Sequence, residues 1–263
     1  MIRIPPRRTP GSALGLIPFL VPGWPTPESY AEALECLRAH EPVAYEFAVP
    51  SGGWTSRTNE VIARSLSEST RGLDELTALE GRRRPNVAVL YRDLAVELGR
   101  EVLLDRLSGC FDHVMLEWEA ADLEGWQSAC NARDLGLVRT LDGLTLTEEE
   151  VRRLSDAASK SCIVYLTCAT ATGGTSIGGP ELREAAERLR ALSPDLFIMA
   201  GFGIRTAEQV RALASIGALD AVAIGTALLE RMPLGVGAVE RYFSALAAAA
   251  QSPLTGSHVR RRS

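Results

Sequence analysis

Hydrophobic runs alternate with amphipathic stretches along most of this chain. The runs are rich in Val, Ile, Leu and Phe and have the length of buried strands, and the stretches between them carry apolar residues at helical spacing. Strands that alternate with helices indicate parallel pairing under a helical cover. Eight strands are predicted, at Leu16–Pro22, Val43–Pro50, Asn86–Tyr91, His113–Trp118, Leu135–Leu141, Cys162–Cys168, Leu196–Gly201 and Asp220–Gly225.

The predicted helices lie between these strands. They span Pro27–Ala39, Asn59–Ser69, Glu97–Leu107, Asp122–Asp134, Glu148–Ser159, Glu181–Ala191 and Ala207–Ser215. Eight units with no surplus strand favour a closed (β/α)8 TIM barrel over an open doubly wound sheet. We expect a single TIM-barrel domain over residues 1–263, with frayed tails at about 1–10 and 253–263, which are rich in Arg, Pro and Ser.

Composition narrows the range of functions. The chain has 263 residues, 46% of them hydrophobic, which is enough to fill one barrel core. A net charge of −5 gives the molecule no electrostatic attraction to nucleic acid or to an anionic membrane surface. No apolar run has the length of a membrane span, and the N-terminal segment lacks the features of a secretion signal. We therefore expect a cytoplasmic protein that acts on a small polar ligand.

Two glycine-containing turns follow the last two predicted strands. Gly201 and Gly203 leave strand seven, and Gly225 leaves strand eight. In a TIM barrel the loops at the C-terminal ends of these strands hold phosphate, because glycine lets backbone N–H groups approach an anion closely. The alternative is that the glycines only end strands. The paired arrangement favours a small phosphorylated substrate.

A loop rich in small residues follows strand six. Residues 169–179 contain four glycines, including Gly173 and Gly174. Such a loop is typical of a lid that closes over a substrate and excludes water. A surface connection without a function is the alternative interpretation.

The catalytic chemistry is inferred by elimination. The single lysine, Lys160, precedes strand six at the face opposite the predicted site, which argues against a Schiff base. None of the three histidines falls at the C-terminal ends of the predicted strands, so we expect no metal there. Glu46 lies within an apolar strand, where burial raises a carboxyl pKa into the range of acid–base catalysis. Pairing of Glu46 with a buried arginine is the structural alternative.

Several segments resemble the alpha subunit of tryptophan synthase. Residues 17–25 resemble the opening strand and turn of that family, and residues 46–50 resemble its segment around a strand-two glutamate. Gly201-Phe202-Gly203-Ile204 and Gly225-Thr226-Ala227 resemble its two phosphate motifs. Tyr91 and Tyr165 fall on tyrosines of its third and sixth strands. The matches run in the same order from about Leu16 to Met232.

The resemblance implies an activity and a set of site residues. The family cleaves indole-3-glycerol phosphate to indole and glyceraldehyde 3-phosphate by retro-aldol chemistry, without a cofactor. Glu46 would be the acid–base group, and Phe19, Tyr91 and Tyr165 would contact the substrate. The phosphate cup and lid would include Gly173, Gly174, Gly201, Gly203, Gly225 and Thr226.

Two departures from the family pattern affect these expectations. Arg57 stands close to the position of a loop aspartate that holds the indole nitrogen, and a guanidinium cannot accept a hydrogen bond. In one interpretation, Glu117 points into the pocket from strand four and either replaces that carboxylate or pairs with Arg57. In the other, Arg57 binds an anionic group of a different substrate. A solvent-facing Arg57 is the simplest alternative.

The surface that docks the pyridoxal-phosphate beta subunit differs as well. Gly52-Gly53-Trp54 and Trp118-Glu119-Ala120 replace two family segments, so we expect weakened or altered docking of a beta-like subunit. Three other functions stay open: a paralogue acting on a different phosphorylated substrate in a specialised pathway, a different phosphate-binding barrel such as an epimerase or isomerase, and a catalytically weakened barrel that serves as a regulatory subunit.

Overall fold

The strands of the computed structural model form one parallel sheet. The structure describes residues 3–49, 59–69, 72–73, 76, 85–157, 163–168 and 179–251. Its strands are β1 (Gly15–Leu20), β2 (Tyr45–Ala48), β3 (Asn86–Leu90), β4 (His113–Leu116), β5 (Gly136–Leu137), β6 (Arg139–Asp142), β7 (Ile163–Thr167), β8 (Phe197–Gly201) and β9 (Ala221–Ile224).

The sheet closes into a barrel. The strand order is β5-β4-β3-β2-β1-β9-β8-β7-β6, and every pair is parallel. The two terminal strands of that order are separated in the chain only by Val138, so both edges of the sheet meet at one segment. The predicted TIM barrel is therefore confirmed. The fifth predicted strand is split because its first part pairs with β4 and its second part pairs with β7.

Helices cover the outside of the barrel. They are α1 (Pro27–Ala39), α2 (Glu60–Glu68), α3 (Arg92–Leu98), α4 (Arg100–Leu107), α5 (Leu123–Asn131), α6 (Glu148–Ala157), α7 (Pro180–Leu192), α8 (Ala207–Ala214), α9 (Thr226–Leu229) and α10 (Val236–Ala250), with a 3-10 turn at Met232–Leu234. No helix in the described ranges is both long and apolar enough to cross a membrane.

Local sequence signals explain several helix ends. Thr26 and Thr206 cap α1 and α8 by accepting hydrogen bonds from backbone N–H groups, as Thr does at helix starts. The single helix predicted over Glu97–Leu107 is instead two helices. They meet at Gly99, whose φ of 77° belongs to the left-handed region that interrupts a helix.

The N-terminal segment is bound to the bottom of the barrel, which differs from the predicted frayed tail. The Arg3 guanidinium donates two hydrogen bonds to the Asp112 carboxylate, at 2.9 and 2.7 Å, and the Arg8 backbone N–H donates to Asp220 at 2.9 Å. Asp112 and Asp220 are buried just before β4 and β9. Because buried carboxylates need partners, they hold this segment in place. The predicted C-terminal tail lies outside the described residues.

Candidate active site

A cavity opens at the C-terminal ends of the strands. Eight of the residues predicted for the site line it: Phe19, Glu46, Tyr91, Glu117, Tyr165, Gly203, Gly225 and Thr226. Its walls are apolar and aromatic, and its polar groups are few, which is typical of a site for a small organic ligand. The location is the one at which TIM barrels carry their chemistry.

Glu46 is the buried acid of this cavity. It lies on β2, opposite Phe19 on β1 and Val87 on β3, and only 2% of its surface is exposed. Within the described residues, its Oε1 atom has no hydrogen-bond partner. Burial, and to a lesser extent the charge of Glu117, raise the pKa of Glu46 to about 8. The group is therefore protonated near neutral pH and able to give a proton to a ligand.

Glu117 lies immediately beyond β4, where its backbone N–H donates to the Leu90 carbonyl at 3.0 Å. Its side chain is 8% exposed and lines the cavity, the orientation expected from the sequence. Burial is the largest cause that raises the pKa of Glu46, Tyr91 and Tyr165. The negative charge of Glu117 raises all three pKa values further, and the charge of Glu46 raises those of the two tyrosines. The cavity thus holds a set of interacting acidic groups.

Two buried tyrosines complete the polar wall. Burial is the first cause that raises the pKa of Tyr91 and of Tyr165 well above the ordinary value, so both are neutral phenols. The ring of Tyr165 meets the ring of Phe202 edge to face, with centroids 5.7 Å apart. A hydrogen bond from the Phe202 backbone to the Tyr165 hydroxyl acts in the opposite direction on its pKa and is the smaller effect.

Gly201, which the sequence predicts for phosphate binding, packs against Tyr165. It is the last residue of β8 and does not belong to the cavity lining. A Cβ atom at Gly201 would lie 1.8 Å from the Tyr165 hydroxyl oxygen and 2.3 Å from ring atom Cζ. Glycine is therefore needed there because the phenol of Tyr165 packs against the backbone.

The other glycine-containing turns do line the cavity. Phe202 and Gly203 have φ angles of 65° and 80°, so two consecutive residues adopt the left-handed conformation. This conformation is unusual for Phe and typical of functional sites. It turns the chain from β8 toward α8 and leaves Gly203 facing the cavity. On the neighbouring strand, Gly225 and Thr226 follow β9 directly.

Asn59 supports this end of the cavity and was not predicted as a site residue. Its Nδ2 donates to the Thr226 hydroxyl at 2.7 Å, and its Oδ1 accepts from the backbone N–H of Ile62 at 3.0 Å, which caps α2. The sequence signal was its position at the predicted start of a helix.

Other residues also line the cavity. Arg205 does so and pairs with Glu230, and the apolar part of the lining includes Ile62, Met115, Phe202, Ile204 and Ala223.

Comparison with known proteins decides the family. A family model described as the tryptophan synthase alpha chain matches residues 9–251. The tryptophan synthase alpha chain of Nitratidesulfovibrio vulgaris (strain Hildenborough) is 30% identical over 233 residues, which are 84% of this chain and 87% of that protein. The chain belongs to the tryptophan synthase alpha chain family. The alpha chain of Gloeobacter violaceus is 28% identical over 227 residues, 82% of this chain and 80% of its own length.

Solved structures agree on the fold of this tryptophan synthase alpha chain family member. A Mycobacterium tuberculosis tryptophan synthase structure superimposes with a TM-score of 0.77 at 20% identity, covering 92% of this chain and 94% of the other. A tryptophan synthase subunit alpha from Legionella pneumophila gives a TM-score of 0.72 at 19% identity, covering 90% and 92%. The identity is modest, so the chain is a divergent member.

The family assignment brings a reaction class with it. Tryptophan synthase alpha chains are lyases that cleave indole-3-glycerol phosphate to indole and glyceraldehyde 3-phosphate, and the alpha subunit needs no cofactor for this step. Three predicted site residues of this family member, Arg57, Gly173 and Gly174, lie outside the described residues.

Proposed function

We propose that this chain cleaves indole-3-glycerol phosphate by a retro-aldol reaction in which Glu46 is the acid–base group. The observation that carries the proposal is the position of Glu46 in one cavity with Gly203, Gly225 and Thr226. A substrate with its phosphate at the two turns would extend its organic part toward the carboxyl group. The family of the chain supports the same reaction.

Glu46 performs two proton transfers in this mechanism. With a pKa of about 8 it starts protonated and donates its proton to the indole carbon that carries the glycerol phosphate chain. The resulting carboxylate takes the proton of the neighbouring hydroxyl as the carbon–carbon bond breaks. The electron pair of that bond returns to the ring, so indole and the aldehyde form and Glu46 is protonated again.

Glu117 supplies the second carboxylate. Protonation of the ring carbon leaves positive charge on the indole nitrogen, and a carboxylate in a water-poor cavity stabilises such charge. Glu117 can also accept the N–H hydrogen bond, which Arg57 cannot do. Tyr91 and Tyr165, with neutral hydroxyl groups in the same wall, orient the substrate, and Phe19 packs against its ring.

The phosphate lies at Gly203, Gly225 and Thr226 in this proposal. Asn59 fixes the Thr226 hydroxyl, and backbone N–H groups of the two turns face the anion. The assignment of Gly173 and Gly174 to this end of the site stays a prediction from the sequence. Gly201 contributes by making room for Tyr165.

Two finer points belong to the same proposal. The chain acts in the cytoplasm in tryptophan biosynthesis. Its docking to a beta subunit is altered because the Trp54 and Trp118 segments differ from the family pattern.

A second candidate function is the cleavage of a different phosphorylated substrate that carries an extra anionic group. The arginine at position 57 is the observation that favours it.

The test is to incubate the purified chain with indole-3-glycerol phosphate, alone and with a tryptophan synthase beta subunit, and to measure indole. The proposal expects indole from the wild type alone. Absence of indole in both mixtures, with retained binding of glyceraldehyde 3-phosphate, would reject indole-3-glycerol phosphate as the substrate and leave the second candidate. Stimulation by the beta subunit would contradict the expectation of altered docking.

A further inference from the structure

A second cluster of reactive side chains lies on the outer surface of the barrel, where α1 packs against α10. Cys36 and His40 are four residues apart, so they project from neighbouring turns on one side of α1, with His40 as its C-terminal cap. Glu240 faces them from α10. None of the three lines the active-site cavity.

The donor atoms of the cluster converge on a small volume. The Cys36 thiol donates to Glu240 Oε2 at 2.9 Å, and His40 Nε2 lies 3.1 Å from the same oxygen. One sulfur, one nitrogen and one oxygen donor all lie within 4.8 Å of one another. Metal–ligand bonds of about 2.0–2.3 Å at tetrahedral angles put neighbouring ligand atoms about 3.5 Å apart. Small side-chain rotations would therefore bring the three donor atoms to the positions that a metal ion requires.

We propose that Cys36, His40 and Glu240 form a binding site for Zn²⁺ or a chemically similar transition-metal ion. Thiolate, imidazole and carboxylate are the three ligand types that zinc prefers in proteins. Hard cations such as Mg²⁺ and Ca²⁺ prefer oxygen ligands, so this donor set selects against them. Three protein ligands leave the fourth position to water. The half-exposed Glu240 side chain keeps the site open to solvent.

In the metal-free chain a proton, and not a metal ion, lies between Cys36 and Glu240. The Cys36 thiol donates this proton to Glu240 Oε2. On binding, the thiol proton passes to the buffer and the metal ion takes over the negative charge of both groups. No electron transfer is involved.

Neighbouring side chains hold two of the ligands in place. The Ser244 hydroxyl donates to the other Glu240 oxygen at 3.0 Å, which leaves Oε2 directed at Cys36 and His40. The His40 ring packs edge-on against Phe243, with centroids 5.5 Å apart. Outer contacts of this kind orient metal ligands and strengthen binding. A bound ion would join α1, the first helix, to α10, the last helix of the described chain.

The test uses the full-length chain after dialysis against a chelator. Titration with Co²⁺ is followed by absorption, because a thiolate ligand gives an intense near-ultraviolet charge-transfer band, and Zn²⁺ is then added as a competitor. We expect one Co²⁺ per chain, displacement by Zn²⁺, and a higher melting temperature with Zn²⁺ because the ion binds only the folded chain. Mg²⁺ should do neither.

Variants separate the cluster from the rest of the surface. Cys36→Ser, His40→Gln and Glu240→Gln should each weaken Co²⁺ binding by about 100-fold or more, at least as much as loss of an outer contact does. Cys110→Ser, at another partly exposed cysteine, and Glu35→Gln, on α1, serve as matched controls and should bind as the wild type does. Circular dichroism checks that each variant is folded.

Three results would overturn the proposal. The first is the absence of both a thiolate band and a change in melting temperature with the wild type. The second is a band of full strength in Cys36→Ser, and the third is loss of the band in Cys110→Ser. Indole release is not part of the test, so failure of the metal site leaves the catalytic proposal unaffected.

Discussion

Glu46 and Glu117 line one cavity, and their carboxyl groups interact. Burial is the main cause that raises the pKa of Glu46 to about 8, and the charge of Glu117 adds to it. Where the surroundings of two carboxyl groups give them different pKa values, the group with the higher pKa is usually assigned as the acid and the other as the charged partner. The proposed mechanism therefore assigns Glu46 as the acid and Glu117 as the carboxylate whose charge raises the pKa of Glu46.

The raised pKa of Glu46 predicts how stability depends on pH. An acid whose pKa is higher in the folded chain than in the unfolded chain holds its proton more tightly when folded, so its ionisation opposes folding. Its contribution is most favourable below pH 4.5 and is lost as the pH rises to about 8. Glu46→Gln cannot ionise. We expect it to raise the free energy of unfolding by about 4 kcal/mol at pH 8, because each unit of pKa is worth about 1.4 kcal/mol, and to change it least near pH 4.5.

Urea unfolding of the wild type and Glu46→Gln at several pH values measures this difference. A difference that stays constant from pH 4.5 to 8 would mean that Glu46 has an ordinary pKa in the folded chain.

Loss of the Glu117 charge should impair catalysis and shift the titration of Glu46. We expect Glu117→Gln to lower turnover nearly as much as Glu46→Gln, because the positive charge on the ring loses its partner. The pKa of Glu46 should also fall, since one of the two causes that raise it is removed. Rates of indole release measured against pH report both effects. Unchanged turnover in Glu117→Gln would exclude the role proposed for it.

Two glycines at the rim should respond differently to alanine. Gly201→Ala forces a Cβ atom into the Tyr165 phenol, and overpacking of this kind costs about 1–3 kcal/mol. At Gly225 the nearest atoms to a Cβ are those of Phe19, at 3.7 Å, which is an ordinary contact. Gly225→Ala should therefore cost less stability but raise KM, because its Cβ lies between the backbone and the phosphate.

Thermal melts and steady-state kinetics of the two variants make the comparison. A Gly201→Ala protein as stable as the wild type would show that Tyr165 does not need the space. An unchanged KM in Gly225→Ala would remove Gly225 from the phosphate site.

Asn59 has two roles that substitutions can separate. Asn59→Ala removes the cap of α2 and the hydrogen bond to Thr226, so we expect a loss of about 1 kcal/mol of stability and a higher KM. Asn59→Asp keeps a capping oxygen but brings negative charge beside Thr226. It should retain most of the stability and raise KM further by repelling the phosphate. Equal KM values for Asn59→Asp and the wild type would place the phosphate elsewhere.

Much of the barrel could be predicted from sequence because its signals are local. Buried parallel strands leave continuous apolar runs, and the helices between them repeat apolar residues at helical spacing, so the order of the units was correct. The break at Val138 was not visible, because strand pairing on the two sides of that residue is a property of the closed barrel. Likewise, nothing near Arg3 indicates that Asp112, more than a hundred residues away, holds it.

The candidate site was predictable where one residue carries its own signal. Glu46 is conspicuous as a carboxyl group in an apolar strand, and Gly203 and Gly225 follow strand ends. Gly201 could not be assigned by its sequence position alone, because a glycine that makes room for the Tyr165 ring has the same appearance in sequence as one that approaches a phosphate. Asn59 was missed as a site residue because its contact with Thr226 joins distant parts of the chain.

The most direct test of the account is the comparison of Glu46→Gln with the wild type at neutral pH. Two quantities are needed, the turnover number for indole release from indole-3-glycerol phosphate and the affinity for glyceraldehyde 3-phosphate. We predict that turnover falls at least about 100-fold, as expected on loss of a general acid–base group, while the affinity is unchanged. Wild-type turnover in Glu46→Gln would contradict the central claim that Glu46 transfers the proton.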